Sequence, residues 1–133
     1  MHYSKRLCAV LISMLVLLTS SVQISATSWV EPLWGGIAAG LTAGGVAGYS
    51  TDMEYKSDAK RRALKMCRAE GGTDCKFLGF FKDCGAIAVG GNTIGAGNGV
   101  NRSVAKQFAV TSCESSDGHR GRCVAVKAFC NYQ

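Results

Sequence analysis

The chain is expected to fold as an α+β domain of two tandem strand-strand-helix-strand repeats, mostly antiparallel sheet with two helices packed on it and three disulfides. Three observations carry this expectation. Gly35-Gly-Ile-Ala-Ala-Gly40 returns as Gly85-Ala-Ile-Ala-Val-Gly90. Ser57-x-Ala59-x-x-x-Ala63-x-x-x-Cys67 returns as Ser103-x-Ala105-x-x-x-Ala109-x-x-x-Cys113. Each copy then closes with a cysteine and an apolar run, Cys75 to Phe81 and Cys123 to Phe129. The copies span residues 34–83 and 84–132, and the offset between them is 50 at the glycine-rich strands, 46 at the helices and 48 at the last strands. Length differences therefore fall in connections, where they are tolerated.

In the first copy, Trp34 to Ala39 and Gly44 to Ser50 are short apolar runs broken by Gly and Thr. They suit a β-hairpin, because glycine is costly inside a helix. Asp52 to Lys56 is a polar connection. Ser57 is expected to cap a helix with Asp58 in its first turn, and Ala59, Ala63, Met66 and Cys67 recur at helical spacing. Gly71-Gly72 ends it, and Cys75 to Phe81 is the closing strand. In the second copy, Gly85 to Val89 and Thr93 to Asn98 form the hairpin across Gly90-Gly-Asn92. Ser103 caps a helix whose buried stripe is Val104, Ala105, Phe108, Ala109, Ser112 and Cys113, and Cys123 to Phe129 is the last strand.

The N-terminus reads as a secretory signal over residues 1–26. Lys5 and Arg6 precede the apolar stretch Leu7 to Leu18, and Ile24-Ser-Ala26 ends in a small residue. The apolar stretch is too short to span a bilayer stably. Residues 27–133 then form a single exported domain, periplasmic or secreted. Cleavage after Ala26 removes Cys8 and leaves six of the seven cysteines, an even number that in an exported chain reads as a disulfide framework. It also lowers the formal net charge from +6 to +4, with thirteen basic residues against nine acidic ones. That is mildly basic, short of the charge density of a dedicated nucleic-acid binder, and no nucleic-acid partner is expected.

Six cysteines allow fifteen connectivities. In each copy one cysteine ends the helix and the next opens the following strand, so Cys67–Cys75 and Cys113–Cys123 are the local bridges, and Cys84 and Cys130 remain to pair. A zinc site would want Cys-x-x-Cys pairs or histidines, and the mature chain has neither such a pair nor more than one histidine.

These features resemble a family of secreted bacterial domains, domain-of-unknown-function family 4189. The resemblance rests on Trp34-Gly-x-Ile-Ala, Gly48-Tyr-Ser50, the two Ala-x-x-x-Ala-x-x-x-Cys helices, Asp74-Cys75 and above all Phe81-Lys-Asp-Cys-Gly-Ala-Ile-Ala-Val89, and it runs from about Trp34 to Cys130. It implies export and a small disulfide-bonded fold, and it carries no catalytic residues to transfer. It also implies a role directed at a host or against a neighbour's toxin.

Candidate chemistry is sparse. His119 is the only mature histidine, flanked by Asp117, Arg120 and Arg122, and a small hydrolase centred on it is one alternative. No nucleophile is marked for it, and a solvated loop histidine is the simpler reading. Asp52, Glu54 and Asp58 lack the dense alternate-oxygen spacing of a calcium loop. Gly95-Ala-Gly97-Asn-Gly99 lacks the spacing and the lysine of a phosphate loop. No metal and no cofactor are expected. Pro32 to Thr51 is twenty residues without a charge, with Gly36, Gly40, Gly44 and Gly48 at four-residue intervals, the pattern of a packed membrane helix. A membrane-active factor using residues 32–51 is therefore a second alternative, weakened by Asn92, Asn98 and Asn101 in the matching stretch. Lys56, Lys60, Arg61 and Lys65 on the first helix, with Arg120 and Arg122 near the C-terminus, form a candidate binding surface for an acidic partner. The expected function is non-enzymatic protein binding.

Overall fold

The middle strand of each unit is apolar on both faces, which decides the layering. In the computed structural model, which describes residues 31–42, 45–117 and 122–132, the first unit comprises β1 (Trp34–Gly40), β2 (Val46–Met53), α1 (Lys56–Ala69) and β3 (Lys76–Phe81). The second comprises β4 (Cys84–Gly90), β5 (Thr93–Gly99), α2 (Arg102–Asp117) and β6 (Val124–Cys130). The strand orders are β2-β1-β3 and β5-β4-β6, antiparallel throughout, so the first strand of each unit lies in the centre of its own three-stranded sheet. The expected mostly antiparallel sheet is present as two sheets, one per helix. The sequence pattern could not separate two sheets from one, because pairing of β3 with β4 would have suited the same alternation.

Successive side chains of a strand point to opposite faces. On β1, Ala38 packs with Ala63 and Cys67 of α1, while Ile37 and Ala39 enter a second cluster with Phe81, Ile87 and Phe129. On β4, Ala86 and Ala88 pack with Ala105, Ala109 and Cys113 of α2, while Ile87 faces the first unit's sheet. The layers therefore run helix, sheet, sheet, helix. Small residues line each helix contact, and bulky ones fill the contact between sheets.

The helix contacts are close enough to exclude any side chain beneath them. A Cβ at Gly48 would lie 2.2 Å from the Ala63 carbonyl oxygen, and one at the matching Gly95 would lie 2.2 Å from that of Ala109. Ala59, Ala63, Ala105 and Ala109 are fully buried, as are Cys67 and Cys113. This closeness also explains a departure from the expected stripe. Phe108 is 57 % exposed and Ser112 is exposed, because α2 rests so near β5 that its flanking large side chains are pushed outward.

The expected caps also differ. Tyr55 occupies the N-cap of α1 with extended backbone and no side-chain bond, leaving Ser57 inside the first turn. At α2 the cap is Asn101, whose Oδ1 accepts the Val104 N–H at 2.9 Å, rather than Ser103. Gly71, at φ +94°, ends α1 in the left-handed region that favours glycine.

Residues 34–40 and 46–53 are strands, so the helical reading of 32–51 does not hold: Gly36 and Gly48 spare room for α1, not for a membrane neighbour. No helix among the described residues is long and apolar enough to cross a membrane. The proposed signal, residues 1–26, lies outside the described residues.

The bridges are Cys67–Cys75, Cys113–Cys123 and Cys84–Cys130, the pairs expected from the repeat. Each local bridge ties the end of a helix to the start of the strand that completes its unit. Both units also carry a bulge at the same place, and the first has a further irregularity between Trp34 and Gly36 where β1 meets β2. Leu78 is the extra residue between the Ile37–Gly79 and Ala38–Phe77 pairs, and Val126 is the extra residue between Ile87–Lys127 and Ala88–Ala125.

Candidate functional site

Strand registers place residues of the two units in one-to-one correspondence, and the departures from it lie on one side of the sheet sandwich. Tyr49 pairs with Ile37 as Ala96 pairs with Ile87, so Tyr49 and Ala96 are counterparts. Gly79 and Lys127 are counterparts in the same way, as are Phe81 and Phe129.

On one flank the Tyr49 ring stacks on Phe129 with centroids 4.3 Å apart, and the Lys127 ammonium stands 4.8 Å above Tyr49. Asn131 ties β2 to the connection between β3 and β4. Asn131 accepts the Asp52 N–H at 2.8 Å and donates to the carbonyls of Leu33 and Lys82 at 3.0 and 2.6 Å. The Asp52 carboxylate accepts the Tyr132 N–H at 2.7 Å.

On the other flank Ala96 and Gly79 stand where the ring and the lysine would be. A recess of about 120 Å³ lies there, lined by Ile37, Leu78, Gly79, Phe80, Ala96 and Asn98 among others. It adjoins a cleft of about 340 Å³ between Trp34, Phe80, Lys82, Asp83, Asn98 and Val100. Phe80 and Asn98 line both spaces, so the recess and the cleft are neighbours between β3 and β5.

Aromatic rings and lysines rim these spaces. α1 lies over β2 and β1 and reaches β3 only slightly, so the outward side chains of β3, Phe77 and Phe80, escape the helix. Trp34 meets Phe80 edge-on, with centroids 6.2 Å apart at 73°, and Phe77 lies 4.7 Å from Phe80. The Lys56 ammonium stands 4.2 Å from the Trp34 ring centre and 5.5 Å from Phe80. Lys82 lies 5.0 Å from Trp34, and Lys60 lies 5.5 Å from Phe77. A cation over such a ring is held weakly at an exposed site, about 0.5–1 kcal/mol. These ammonium groups are consequently positioned, and none of them is within ion-pair distance of a carboxylate among the described residues.

The candidate basic surface is thereby divided. Lys56 and Lys60 lean over the aromatic rim, while Arg61 and Lys65 project about 100° or more further round the helix. Arg61 also pairs with Asp58 at 2.7 Å, an exposed pair of small energetic weight. Arg122 is exposed just before β6, and its backbone carbonyl packs beside Gly90 in the second unit. It does not join the lysines of α1. His119 and Arg120 lie outside the described residues.

The acidic residues disperse as well. Asp52 serves the chain end, Asp58 pairs with Arg61, and Glu54, hydrogen-bonded to the Tyr55 hydroxyl, raises that tyrosine's pKa. Among the described residues no group of three or more His, Cys, Asp or Glu is placed to hold a metal ion. Asp74 does structural work at the β1–β2 turn. Its carboxylate accepts the Leu41 and Thr42 N–H groups at 2.9 and 3.2 Å and the Thr42 hydroxyl, and these bonds, the hydroxyl's foremost, lower its pKa to about 2.

The family described as a domain of unknown function, DUF4189, matches residues 34–130, from the first residue of β1 to the last of β6. The chain belongs to this family. Both repeat units of the DUF4189 fold, all three bridges and the aromatic rim lie within the matched segment. No curated protein and no solved structure matches the chain.

Trp34, Phe77, Phe80 and Lys82 were not singled out as a site by the sequence. A signal was present as a contrast between copies, since Phe77 and Phe80 align with Ala125 and Ala128, and Trp34 with Cys84. Asn131 was missed too; its position corresponds to Asp83, the polar residue that follows β3.

Proposed function

We propose that the chain is an exported, non-enzymatic protein-binding module, acting as a periplasmic inhibitor or immunity-like protein or as a secreted host-directed factor. The observation that supports this is the open flank, where rings and ammonium groups surround a recess and a neighbouring cleft that the opposite flank keeps closed. Aromatic anchors such as Trp34 are typical of protein-binding hot spots, and the lysines beside them supply charge complementarity at the rim. The three bridges also suit a scaffold that must keep its surface shaped in an oxidising compartment. Lys60, Arg61 and Lys65 extend the positive surface outward from the rim.

The test is affinity capture with the mature, oxidised protein, followed by binding kinetics with the partner obtained. Reversing the charges of Lys60, Arg61 and Lys65 should slow association and flatten its salt dependence, with the fold unchanged. His119→Ala should leave binding as it was. Loss of a measurable hydrolytic activity in His119→Ala, with partner capture intact, would overturn this reading in favour of an enzyme.

A further inference from the structure

We propose that the open flank binds an extended acidic segment of a partner protein, seating one aromatic side chain of that segment in the recess between Ala96 and Gly79. This rests on the binding-module reading and names the part of the partner it recognises.

The molecule itself displays the contact that is absent there. On the closed flank a ring, Tyr49, fills the space beside Phe129 under a lysine. On the open flank the counterpart of Phe129, Phe81, has Ala96 where that ring would be, and Gly79 where that lysine would be. A ring brought by a partner would therefore enter the recess beside Ala96 and Gly79, the positions that Tyr49 and Lys127 hold on the closed flank. Such a ring would lie against Ile37 and Leu78 at the recess wall.

Charge sets the rest of the ligand. Lys56, Lys60 and Lys82 have rings beneath them and no ion pair to a described carboxylate, whereas Arg61 has one. Among the described residues that line the cleft, Asp83 is the one acidic residue. In an extended peptide alternate side chains share a face at a spacing of about 7 Å. Lys56 and Lys82 both stand within 5.0 Å of the Trp34 ring centre, so acidic residues at alternate positions on the Trp34 side of a seated aromatic residue can reach them. A single-stranded nucleic acid fits less well. It needs parallel ring faces on which successive bases stack, and Trp34, Phe80 and Phe77 instead meet at 73° and 58°. Pairing of a partner strand along β3 is also disfavoured, since Lys76 and the Leu78 bulge blunt that edge.

The experiment is an amide and indole NMR titration of the oxidised, mature protein with a short synthetic peptide in which aspartates occupy alternate positions on both sides of a central tyrosine, so that either chain direction presents them to the Trp34 end. Saturable shifts are expected at Gly79, Ala96, Asn98 and the Trp34 indole. The same peptide with asparagines in place of aspartates should bind about tenfold or more weakly, a difference of about 1.4 kcal/mol. So should the peptide offered to the Lys56→Ala/Lys82→Ala double variant. Ala96→Tyr supplies the missing ring from within and should abolish the shifts. If that variant does not fold, Ala96→Leu and the lysine double variant carry the test. Shifts confined to other surfaces, equal binding of the uncharged peptide, or tighter binding of an oligothymidylate in the same cleft would overturn the proposal. A captured partner that binds Ala96→Tyr undiminished but is lost on charge reversal of α1 would also overturn it, leaving the binding-module reading standing.

Discussion

The two units share strands, helix, bulge and local disulfide, yet they close the same slot by different chemistry. In the second unit Cys84 and Cys130 face each other across β4 and β6 and are covalently joined. Their counterparts in the first unit are Trp34 and Lys82, held only by a cation resting 5.0 Å from a ring. One copy of the duplicated unit has been made rigid, and the other has kept its aromatic and basic groups accessible.

The sharpest way to break this contrast is to remove each closure in turn. The Cys84–Cys130 bridge spans 46 residues of sequence, for which the chain-entropy account gives about 4 kcal/mol. A Cys84→Ala/Cys130→Ala double variant should lose about that much in urea denaturation, whereas Lys82→Ala should lose about 0.5–1 kcal/mol. Equal losses would mean that the two slots are energetically equivalent, and the contrast would fall.

How much of this was legible in the sequence follows from the same contrast. Whatever the copies share could be read, since Ala59, Ala63 and Cys67 recur as Ala105, Ala109 and Cys113, and small residues at that spacing require a helix packed close on a surface. The pairing of the cysteines followed from their places in the repeat. The site lies where the copies differ, at Tyr49 against Ala96, Gly79 against Lys127 and Phe80 against Ala128. No periodicity marks such differences, and only strand register shows that they converge on one flank. Phe108 misled because helical spacing does not reveal how near α2 lies to β5.

The shared helix contact supplies the next test. Ala63 and Ala109 are fully buried at matching positions, so Leu at either site should overpack the contact and cost about 1–3 kcal/mol. The loss should be greater in the second unit. There Gly97 lies beneath α2 with its would-be Cβ only 2.2 Å from the Ala109 nitrogen. The first unit has Ser50 at the matching place, whose hydroxyl accepts the Gly36 N–H and donates to the Ala59 carbonyl. A greater loss at Ala63 would reverse the ranking of the two interfaces.

The flanks can be compared at Asn131. Replacing it by Ala leaves the Asp52 N–H and the carbonyls of Leu33 and Lys82 without this side chain, at a cost of about 1–3 kcal/mol for groups so enclosed. Hydrogen exchange should quicken at Asp52 and Tyr132 on the closed flank, while Asn98 and Gly99 on the open flank keep their rates. Uniform acceleration across both would show that the flanks are not independent.

The smallest expected effect distinguishes the two hairpin turns by acid. The β1–β2 turn is held by the Asp74 carboxylate, whose pKa falls from 3.8 to about 2 on folding. At the corresponding β4–β5 turn the Thr93 hydroxyl donates to the Gly90 carbonyl at 2.8 Å, a contact with nothing to titrate. Between those two pKa values the unfolded chain binds more protons than the folded one at Asp74. Its contribution to stability is therefore present above about pH 4 and is lost as pH falls through the folded value near 2. Because the group is exposed, the effect on global stability should be slight, and the local signal is the one to follow. In an NMR pH titration the Leu41 and Thr42 amides should shift with a midpoint near 2, and the Thr93 amide should not follow them. Asp74→Asn should remove that midpoint. A common midpoint at both turns would place the titrating group elsewhere, and the acid sensitivity would then belong to the shared fold and not to the first unit alone.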